Sequence, residues 1–446
     1  MDTFLFLAVI SGILVLLLLV LRYKIPAFLA LLSSCLIVGL LTGYPLADLL
    51  QTIQKGVGNT LGFVAVVVGL GALLGGFLEA TGGAAVLAHS TIASLGEKKA
   101  SWGLLLTGFL IAIPVFFDVA FVILVPVVYS LQRKTGKSIL AFALPLLAGL
   151  AITHAFIPPT PGPVAVAEIL DAPLGWVIIF GMLVGLPTAY ISGIVFPKFI
   201  SPRIYAEAPP EVAPQHQTAK PLQLNHILLI IGWPLFWIIA GTILKEFGWQ
   251  DSFYSSLQVP IQLLGHPFGA LLSANFLAWI IFRKLYALPP KELLQISNKS
   301  LQPIGIILLL TGTGGAFKQL LIDTKVGEML GSIIYSNQFP ILLFAFLVAV
   351  LVRLMQGSAT VAMITAAGLT APLLNSDISD PQKALIVIAI AAGASIFSHV
   401  NDSGFWLVGK YLNLTEKETL RSWSIMTLII AICGFFMVGI FSYWVS

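Results

Sequence analysis

The sequence predicts an all-α polytopic membrane protein built from two inverted repeats, and three observations carry this prediction. Of its 446 residues, 58% are hydrophobic and only 9% are charged, whereas soluble domains carry roughly 25% charged residues. Apolar runs of about 20 residues, the length that crosses a bilayer, recur along the chain. Several motifs of the first half also reappear in order in the second half.

Ten of the apolar runs are interpreted as full membrane spans. The first run follows Met-Asp-Thr directly and lacks a basic stretch, so a span is favoured over a cleavable signal peptide. A hydrophilic linker at 201–222 divides the first repeat (1–200) from the second (223–446). The ten predicted spans are 4–21, 26–41, 60–78, 138–157, 174–196, 226–244, 261–282, 303–321, 383–398 and 425–445.

Two further apolar runs, 102–131 and 339–374, are too long for one span. Each is interrupted near its middle, the first at Pro114 and Asp118 and the second at Arg353 and its polar neighbours. We interpret both as re-entrant hairpins, in which one half-helix enters the membrane, turns at mid-depth and a second half-helix leaves. The alternatives are one long tilted helix, or two short spans joined by a tight turn.

Two other helices are predicted to be broken, at about 138–165 and 383–410. The first break reads HAFIPPTPGP from His154. Proline lacks an N–H group and clashes with the carbonyl one turn earlier, so a helix cannot continue through this stretch. Irregular backbone persists within a bilayer only where it is buried in protein or lines a watery cavity. The alternative is a helix that ends at the membrane surface.

The internal repeat carries the prediction of inverted orientation. Its matches lie at a nearly constant offset along the chain. Each half holds five spans and one hairpin, and because five is odd, the second half has the opposite orientation in the membrane. With this layout about 17 Lys and Arg residues fall on one side and about 5 on the other, which predicts that both termini lie outside the cytoplasm. The matching pairs are 48–51 with 292–295, 69–71 with 312–314, the two hairpin tips, and His154 with His399.

The two hairpin tips and the two breaks are predicted to converge at mid-membrane. Free N–H groups and the positive dipole end at each new helix N-terminus would favour an anion there. The alternative is close helix packing by small residues. The predicted substrate-binding residues are Phe117, Asp118, His154, Thr160, Gly162, Gln356, Gly357, Ser358, Thr360, Asn401, Asp402 and Ser403.

Ionisable side chains inside a membrane are expensive and usually functional. Asp118, His154, His399 and Asp402 are therefore the candidates for proton coupling. The alternative is that they only hold the broken backbone by hydrogen bonds, as Asp and Asn do at helix N-caps. Arg353 could pair with a substrate carboxylate or form a structural ion pair with Asp118 or Asp402, and we favour the structural pairing.

Nothing in the sequence has the spacing of an enzyme's nucleophile and base or of a metal site. Cys35 and Cys433 lie in separate apolar runs and are expected to behave as small hydrophobic residues. No basic tract suggests nucleic acid, and no cofactor motif is present. We therefore expect a protein that is not an enzyme and needs no cofactor.

Four motifs, PVFFDVAFVILVPVV, HAFIPPTPGPVAVA, QGSATVAMITAAGL and HVNDSGFW, occur in this order. Together they closely resemble the gluconate permease family of the ion transporter superfamily, over essentially the whole chain. The resemblance implies a homodimeric secondary transporter of the bacterial inner membrane, with a scaffold and a mobile domain that moves as an elevator.

The resemblance also implies import of gluconate or a related small hydroxy acid together with a proton. Members of this family differ in substrate, since sugar acids, glycerate-like acids and D-serine all occur. Two alternatives stay open: a sodium-coupled carboxylate carrier, and an ion antiporter or channel without an organic substrate.

Overall fold

The structure is a computed structural model that describes residues 7–8, 11–12, 14–16, 18–19, 22–209, 222–247, 258–324, 340–374 and 377–445. These residues form α-helices joined by short turns, and none of them lies in a strand, which confirms the all-α prediction. Most of the linker predicted at 201–222 and part of the span predicted at 4–21 lie outside the described residues.

The described helices are numbered in chain order. Those of the first half are α1 Ala27–Leu41, α2 Leu46–Ala80, α3 Gly83–Leu95, α4 Ala100–Ile111, α5 Phe117–Thr135, α6 Leu140–Phe156, α7 Pro161–Ile169 and α8 Leu174–Tyr190. Those of the second half are α9 Leu224–Phe247, α10 Gln258–Gly265, α11 Pro267–Lys284, α12 Pro290–Leu301, α13 Ile304–Asp323, α14 Ile341–Gln356, α15 Ala359–Thr370, α16 Asp380–Ala394, α17 Ser403–Tyr411 and α18 Ile425–Val445.

Six helical segments in the described ranges are long and apolar enough to cross a membrane, or seven if α10 and α11 count as one bent span. These two helices meet at an angle of 83°, so the prediction of one uninterrupted span at 261–282 is wrong. The bend arises because His266 has an extended backbone and its side chain accepts a hydrogen bond from the Phe268 N–H. Pro267 then starts a new helix, a position that suits its fixed φ angle.

Helix α2 is the longest described helix of the first half. It has 35 residues, whereas the span predicted at 60–78 has 19. It packs along α13, and two glycines allow this close crossing. A Cβ atom on Gly56 would lie 2.6 Å from the Ala316 Cα, and one on Gly315 would lie 2.0 Å from the Thr60 Oγ1. Small residues at such crossings let helix backbones approach closely within a membrane.

Four helix breaks lie in the segments where the sequence predicts tips and breaks. They separate α4 from α5 at 112–116, α6 from α7 at 157–160, α14 from α15 at 357–358, and α16 from α17 at 395–402. Helix α6 and most of α7 and α16 are apolar and almost wholly buried, as expected of helices at the centre of a large bundle. The break between α6 and α7 is buried with them, whereas the break between α16 and α17 is partly exposed at Val400 and Asn401.

Helix α2 also lies directly against the first two breaks. A Cβ atom on Gly75 would lie 1.9 Å from the Pro114 carbonyl oxygen, and one on Gly71 would lie 3.2 Å from the Pro159 Cβ. A narrow, mostly apolar cleft remains between these elements. It is lined by Val68, Gly71, Ala72, Ile113, Pro114, Val115, Phe116, Pro159, Thr160 and Pro161.

We expect Gly75→Ala to destabilise the protein by roughly 1–3 kcal/mol, because the added methyl group meets a backbone carbonyl that cannot rotate away. Gly69→Ala is the matched control, since a Cβ atom there has no neighbour within 4 Å. Thermal unfolding of the purified protein in detergent measures both. Equal melting temperatures for the two variants would contradict the close approach of α2 to Pro114.

Candidate functional site

The four helix breaks are connected by contacts, and we call this arrangement the ring. Two of these contacts start from the breaks of the first half: one joins the two breaks to each other, and the other joins α7 to α15. The ring centroids of Phe116, at the tip between α4 and α5, and of His154, at the end of α6, are 6.3 Å apart. Gly162, in the first turn of α7, faces Met363 of α15, and a Cβ atom on Gly162 would lie 2.9 Å from the Met363 Sδ.

The remaining contacts close the ring through the second half. Gly357, at the turn between α14 and α15, packs on Asn401, and an added Cβ atom would lie 2.2 Å from the Asn401 carbonyl oxygen. Asp118 lies in the first turn of α5, which contacts α17, the helix that starts after Asp402. The structure therefore brings together residues of all four predicted stretches.

A buried ion pair between Arg353 and Asp402 lies at the centre of the second half of the ring. The Arg353 Nη2 is 2.5 Å from the Asp402 Oδ2, and the two residues are only 6% and 9% exposed. The Arg353 Nη1 also donates to the Gly357 carbonyl. One guanidinium thus contacts both the turn after α14 and the break before α17.

Asp402 has further partners that the sequence did not suggest. Its Oδ2 accepts a hydrogen bond from the Ser398 hydroxyl, and its Oδ1 accepts one from the Gly404 N–H at 3.1 Å, which makes Asp402 the N-cap of α17. Ser398 in turn accepts a hydrogen bond of 2.7 Å from the Trp423 indole Nε1. Both carboxylate oxygens of Asp402 are therefore occupied by the protein.

Trp423 connects this network to the first half of the ring. Its indole stacks on Phe117, beside Asp118, with the ring centroids 5.6 Å apart and an angle of 30° between the planes. Trp423 lies in a π-helical turn, Leu420–Ser424, just before α18. Such turns shift the register of a helix by one residue and often occur at functional sites. Sequence reasoning missed Trp423 and Ser398, since neither carries a charge or interrupts an apolar run.

The turn at Gly357 is required by the ring. Gly357 has a φ of +85°, a left-handed conformation that glycine adopts without strain. Its N–H closes α14 on the Arg353 carbonyl at 2.8 Å. Ser358 then caps α15 by accepting a long hydrogen bond of 3.4 Å from the Val361 N–H.

Several predicted site residues use their polar groups to hold broken backbone. The Thr160 hydroxyl donates to the Ile157 carbonyl at 2.7 Å. The Asn401 amide donates to the Leu354 carbonyl at 3.0 Å, and the His399 Nε2 lies 3.1 Å from the same oxygen. These three side chains satisfy carbonyl groups that a helix break leaves without partners.

Other predicted residues keep polar groups without a partner. Within the described part of the chain, no hydrogen bond or ion pair is made by the side chains of Asp118, Gln356, Thr360 and Ser403. Asp118 and Ser403 are exposed and the other two are half-buried. The His154 Nδ1 is buried and likewise has no partner among the described residues. These groups are the ones available to a bound solute.

Comparison with known proteins establishes the family. The profile of the GntP family permease matches residues 4–444, almost the whole chain. This chain belongs to the GntP permease family. The family assignment expected from the four motifs is confirmed, and the protein is a multi-pass membrane transporter and not an enzyme.

Relatives of this GntP-family chain align over nearly their full length. It is 38% identical to the low-affinity gluconate transporter of Escherichia coli K12, over 96% of both chains. It is 35% identical to the gluconate permease of Pseudomonas aeruginosa, over 97% of this chain and 96% of that one. It is also 35% identical to the Gnt-II system L-idonate transporter of Escherichia coli K12, over 95% and 96% of the two chains.

Two solved structures share the fold of this GntP-family chain. The YdaH transporter of Alcanivorax borkumensis superposes with a TM-score of 0.66 at 18% identity, covering 94% of this chain and 98% of that one. The MtrF efflux pump of Neisseria gonorrhoeae superposes with a TM-score of 0.58 at 16% identity, covering 88% and 84%. At such low identity these structures are informative about the fold alone.

We expect Arg353→Met to lower the stability of the protein by about 3–5 kcal/mol, because it leaves the Asp402 carboxylate buried without its cation. The double variant Arg353→Met with Asp402→Asn should recover much of this loss. Lys134→Met is the matched control, since Lys134 pairs with Glu97 at an exposed site and such pairs contribute about 0–1 kcal/mol. Denaturant or thermal unfolding measures all three, and wild-type stability of Arg353→Met would contradict the pairing.

Proposed function

We propose that this chain imports gluconate or a related small sugar acid across the bacterial inner membrane by proton symport. The relatives named for gluconate and L-idonate transport support this substrate class. The observation that carries the proposal is the ring of four helix breaks. It gathers helix N-termini, and hydroxyl groups and a carboxyl group that have no partner within the described residues, at one place in the bundle.

The ring suits an anion because of the helices that start there. The first N–H groups of a helix lack an intrahelical acceptor and carry the positive end of the dipole, so they attract a carboxylate. Helices α5, α15 and α17 start at the ring and supply such groups, apart from the Val361 N–H, which Ser358 binds, and the Gly404 N–H, which Asp402 binds. Helix α7 contributes less, because Pro161 and Pro163 in its first turn have no N–H. We propose that the substrate carboxylate binds at the starts of α5, α15 and α17.

The hydroxyl groups of a sugar acid need hydrogen-bonding partners of their own. Thr360, Ser403 and Gln356 border the ring and have no partner within the described chain. Each can both donate and accept hydrogen bonds. A site that pairs with each substrate hydroxyl strongly rejects analogues that lack it, because its buried polar groups are then left unpaired. These three residues are the proposed determinants of sugar-acid recognition.

Proton coupling is proposed because the substrate is an anion. The inside of the cell is negative, so an anion must enter against the membrane potential, and each co-transported proton offsets one charge. Asp118, His154, His399 and Asp402 are the titratable groups of the ring, all of them predicted candidates. Of these, His399 lies against the Leu354 carbonyl and Asp402 is bound by Arg353.

The proposed transport cycle uses the inverted repeats. Helix α4 packs on α6 as α14 packs on α16, and α6 packs on α8 as α16 packs on α18. This recurrence supports a duplication. We propose that α1, α2, α11, α12 and α13 form the scaffold, and that the two hairpins and two broken helices move as an elevator. We further propose a homodimer with both termini on the periplasmic side.

Uptake by purified protein in liposomes tests the proposed function. Radiolabelled gluconate should accumulate above its external concentration when the outside is more acidic than the inside. Unlabelled L-idonate should compete more strongly than glycerate or D-serine, and replacing sodium with potassium should have no effect.

Three results would contradict the proposal. Accumulation that follows a sodium gradient would indicate a sodium-coupled carrier. Preferential competition by glycerate or D-serine would shift the substrate class. Ion flux without any effect of sugar acids would favour an antiporter or channel.

A further inference from the structure

We propose that Asp118 binds and releases the coupled proton, and that Asp402 stays ionised throughout the transport cycle as the counter-ion of Arg353. This inference rests on the proposed proton symport. It assigns separate roles to the two aspartates of the ring, which the sequence leaves equivalent.

Asp402 has three partners that suit a carboxylate. Its carboxylate accepts hydrogen bonds from the Arg353 guanidinium, the Ser398 hydroxyl and the Gly404 N–H. Hydrogen bonds and an opposite charge both favour an ionised carboxylate. Protonation would leave the buried Arg353 without a counter-charge, which costs several kcal/mol for a buried pair. A proton on Asp402 would therefore loosen the ring that the substrate requires.

Asp118 differs from Asp402 in each of these respects. Its side chain is exposed and has no hydrogen bond or ion pair within the described residues. It lies in the first turn of α5, so water or a solute in the ring can reach its carboxyl group. Asp118 can therefore gain or lose a proton without breaking a contact within the described residues. This suits a group that must bind and release a proton in each cycle.

The charges around Asp118 make its protonation depend on the substrate. Helices α2, α3, α6 and α17 all contact α5. Asp402, the N-cap of α17, is the acid at this end of these helices that belongs to the ring. The other charged and titratable groups on these helices are Asp48, Lys55, Glu79, His89, His154, Lys410 and Tyr411.

His154 and Lys410 have defined places on the helices that contact α5. His154 stacks edge-on against Phe116, next to the tip. Lys410 lies at the far end of α17, where the hydroxyl of Tyr129 donates to the carbonyl of its neighbour Tyr411. Asp402 is thus the acid near Asp118 in the ring.

The net charge of the ring explains how binding of the anion is coupled to binding of the proton. Arg353 and Asp402 cancel each other, so an ionised Asp118 makes the ring negative and repels a carboxylate. When a proton from the periplasm converts the Asp118 carboxylate to the neutral acid, the ring is neutral and a sugar acid anion can bind. On the cytoplasmic side the anion leaves, the proton dissociates to water, and the Asp118 carboxylate is restored. Binding of the anion and of the proton therefore favour each other, which is the reciprocity expected of coupled ligands.

Asp118→Asn in proteoliposomes tests the assignment, because the amide mimics the neutral acid and cannot lose a proton. We expect two changes against wild type. Accumulation of gluconate driven by a pH gradient should be lost, and gluconate exchange at equal pH on both sides should no longer slow as the pH rises. Asp171→Asn is the control outside the ring, since Asp171 pairs with Lys318 at an exposed site, and it should accumulate gluconate like wild type.

Asp402→Asn separates the two roles. We expect it to lose gluconate exchange as well as accumulation, because Arg353 is then left unpaired. The inference is overturned if Asp118→Asn still accumulates gluconate under a pH gradient. It is also overturned if Asp402→Asn exchanges gluconate without pH dependence while Asp118→Asn remains coupled.

The proposed function and this inference fail in different ways. If wild-type protein shows no accumulation under a pH gradient, the proton symport itself is wrong. If wild type accumulates gluconate and Asp118→Asn does too, only the assignment is wrong. Should Asp118→Asn not fold, Asp118→Ser removes the acid with a residue that is also suited to the start of a helix. The same loss of pH-driven accumulation is expected of it.

Discussion

The buried ion pair between Arg353 and Asp402 is the interaction on which the rest of the site depends. It joins the turn after α14 to the break before α17, the two positions at which α15 and α17 begin. Ser398 and Trp423 extend it to α18 and, by stacking, to Phe117 at the other tip. A buried pair is weak evidence for stability in itself. Its role here is to position the chain, because it holds the starts of α15 and α17 close together.

Close approach of backbones is the second constraint on the site. Gly357 packs on the Asn401 carbonyl, and Gly75 packs on the Pro114 carbonyl. A side chain at Gly357 would push the turn after α14 away from Asn401. A side chain at Gly75 would push α2 away from the break at Pro114. Broken backbone also leaves carbonyl groups unsatisfied, and Thr160, Asn401 and His399 bind several of these. The polar residues of the ring therefore divide into those that maintain the breaks and those left for a solute.

Much of this organisation could be predicted because its causes are local in sequence. Proline and glycine interrupt helices by their own chemistry, so three of the four breaks follow from Pro114, the proline run after Phe156, and Gly357. The fourth break follows from the repeat, which matches His399 with His154. The contacts of Ser398 with Trp423 could not be predicted, since they join residues 25 positions apart through the packing of α16 on α18. The length of α2 was also missed, because composition alone does not show where an apolar helix starts. The bend at His266 was missed although Pro267 marks the start of a new helix there. The assignment of the individual site residues stays a prediction.

The central claim is that one sugar acid anion binds inside the ring of helix breaks. A structure of the protein determined with gluconate bound tests it most directly. The account predicts the substrate carboxylate at the starts of α5, α15 and α17, with its hydroxyl groups near Thr360, Ser403 and Gln356. It also predicts that the Arg353–Asp402 pair stays intact. Gluconate bound elsewhere in the bundle, or Arg353 released from Asp402 to hold the carboxylate, would contradict it.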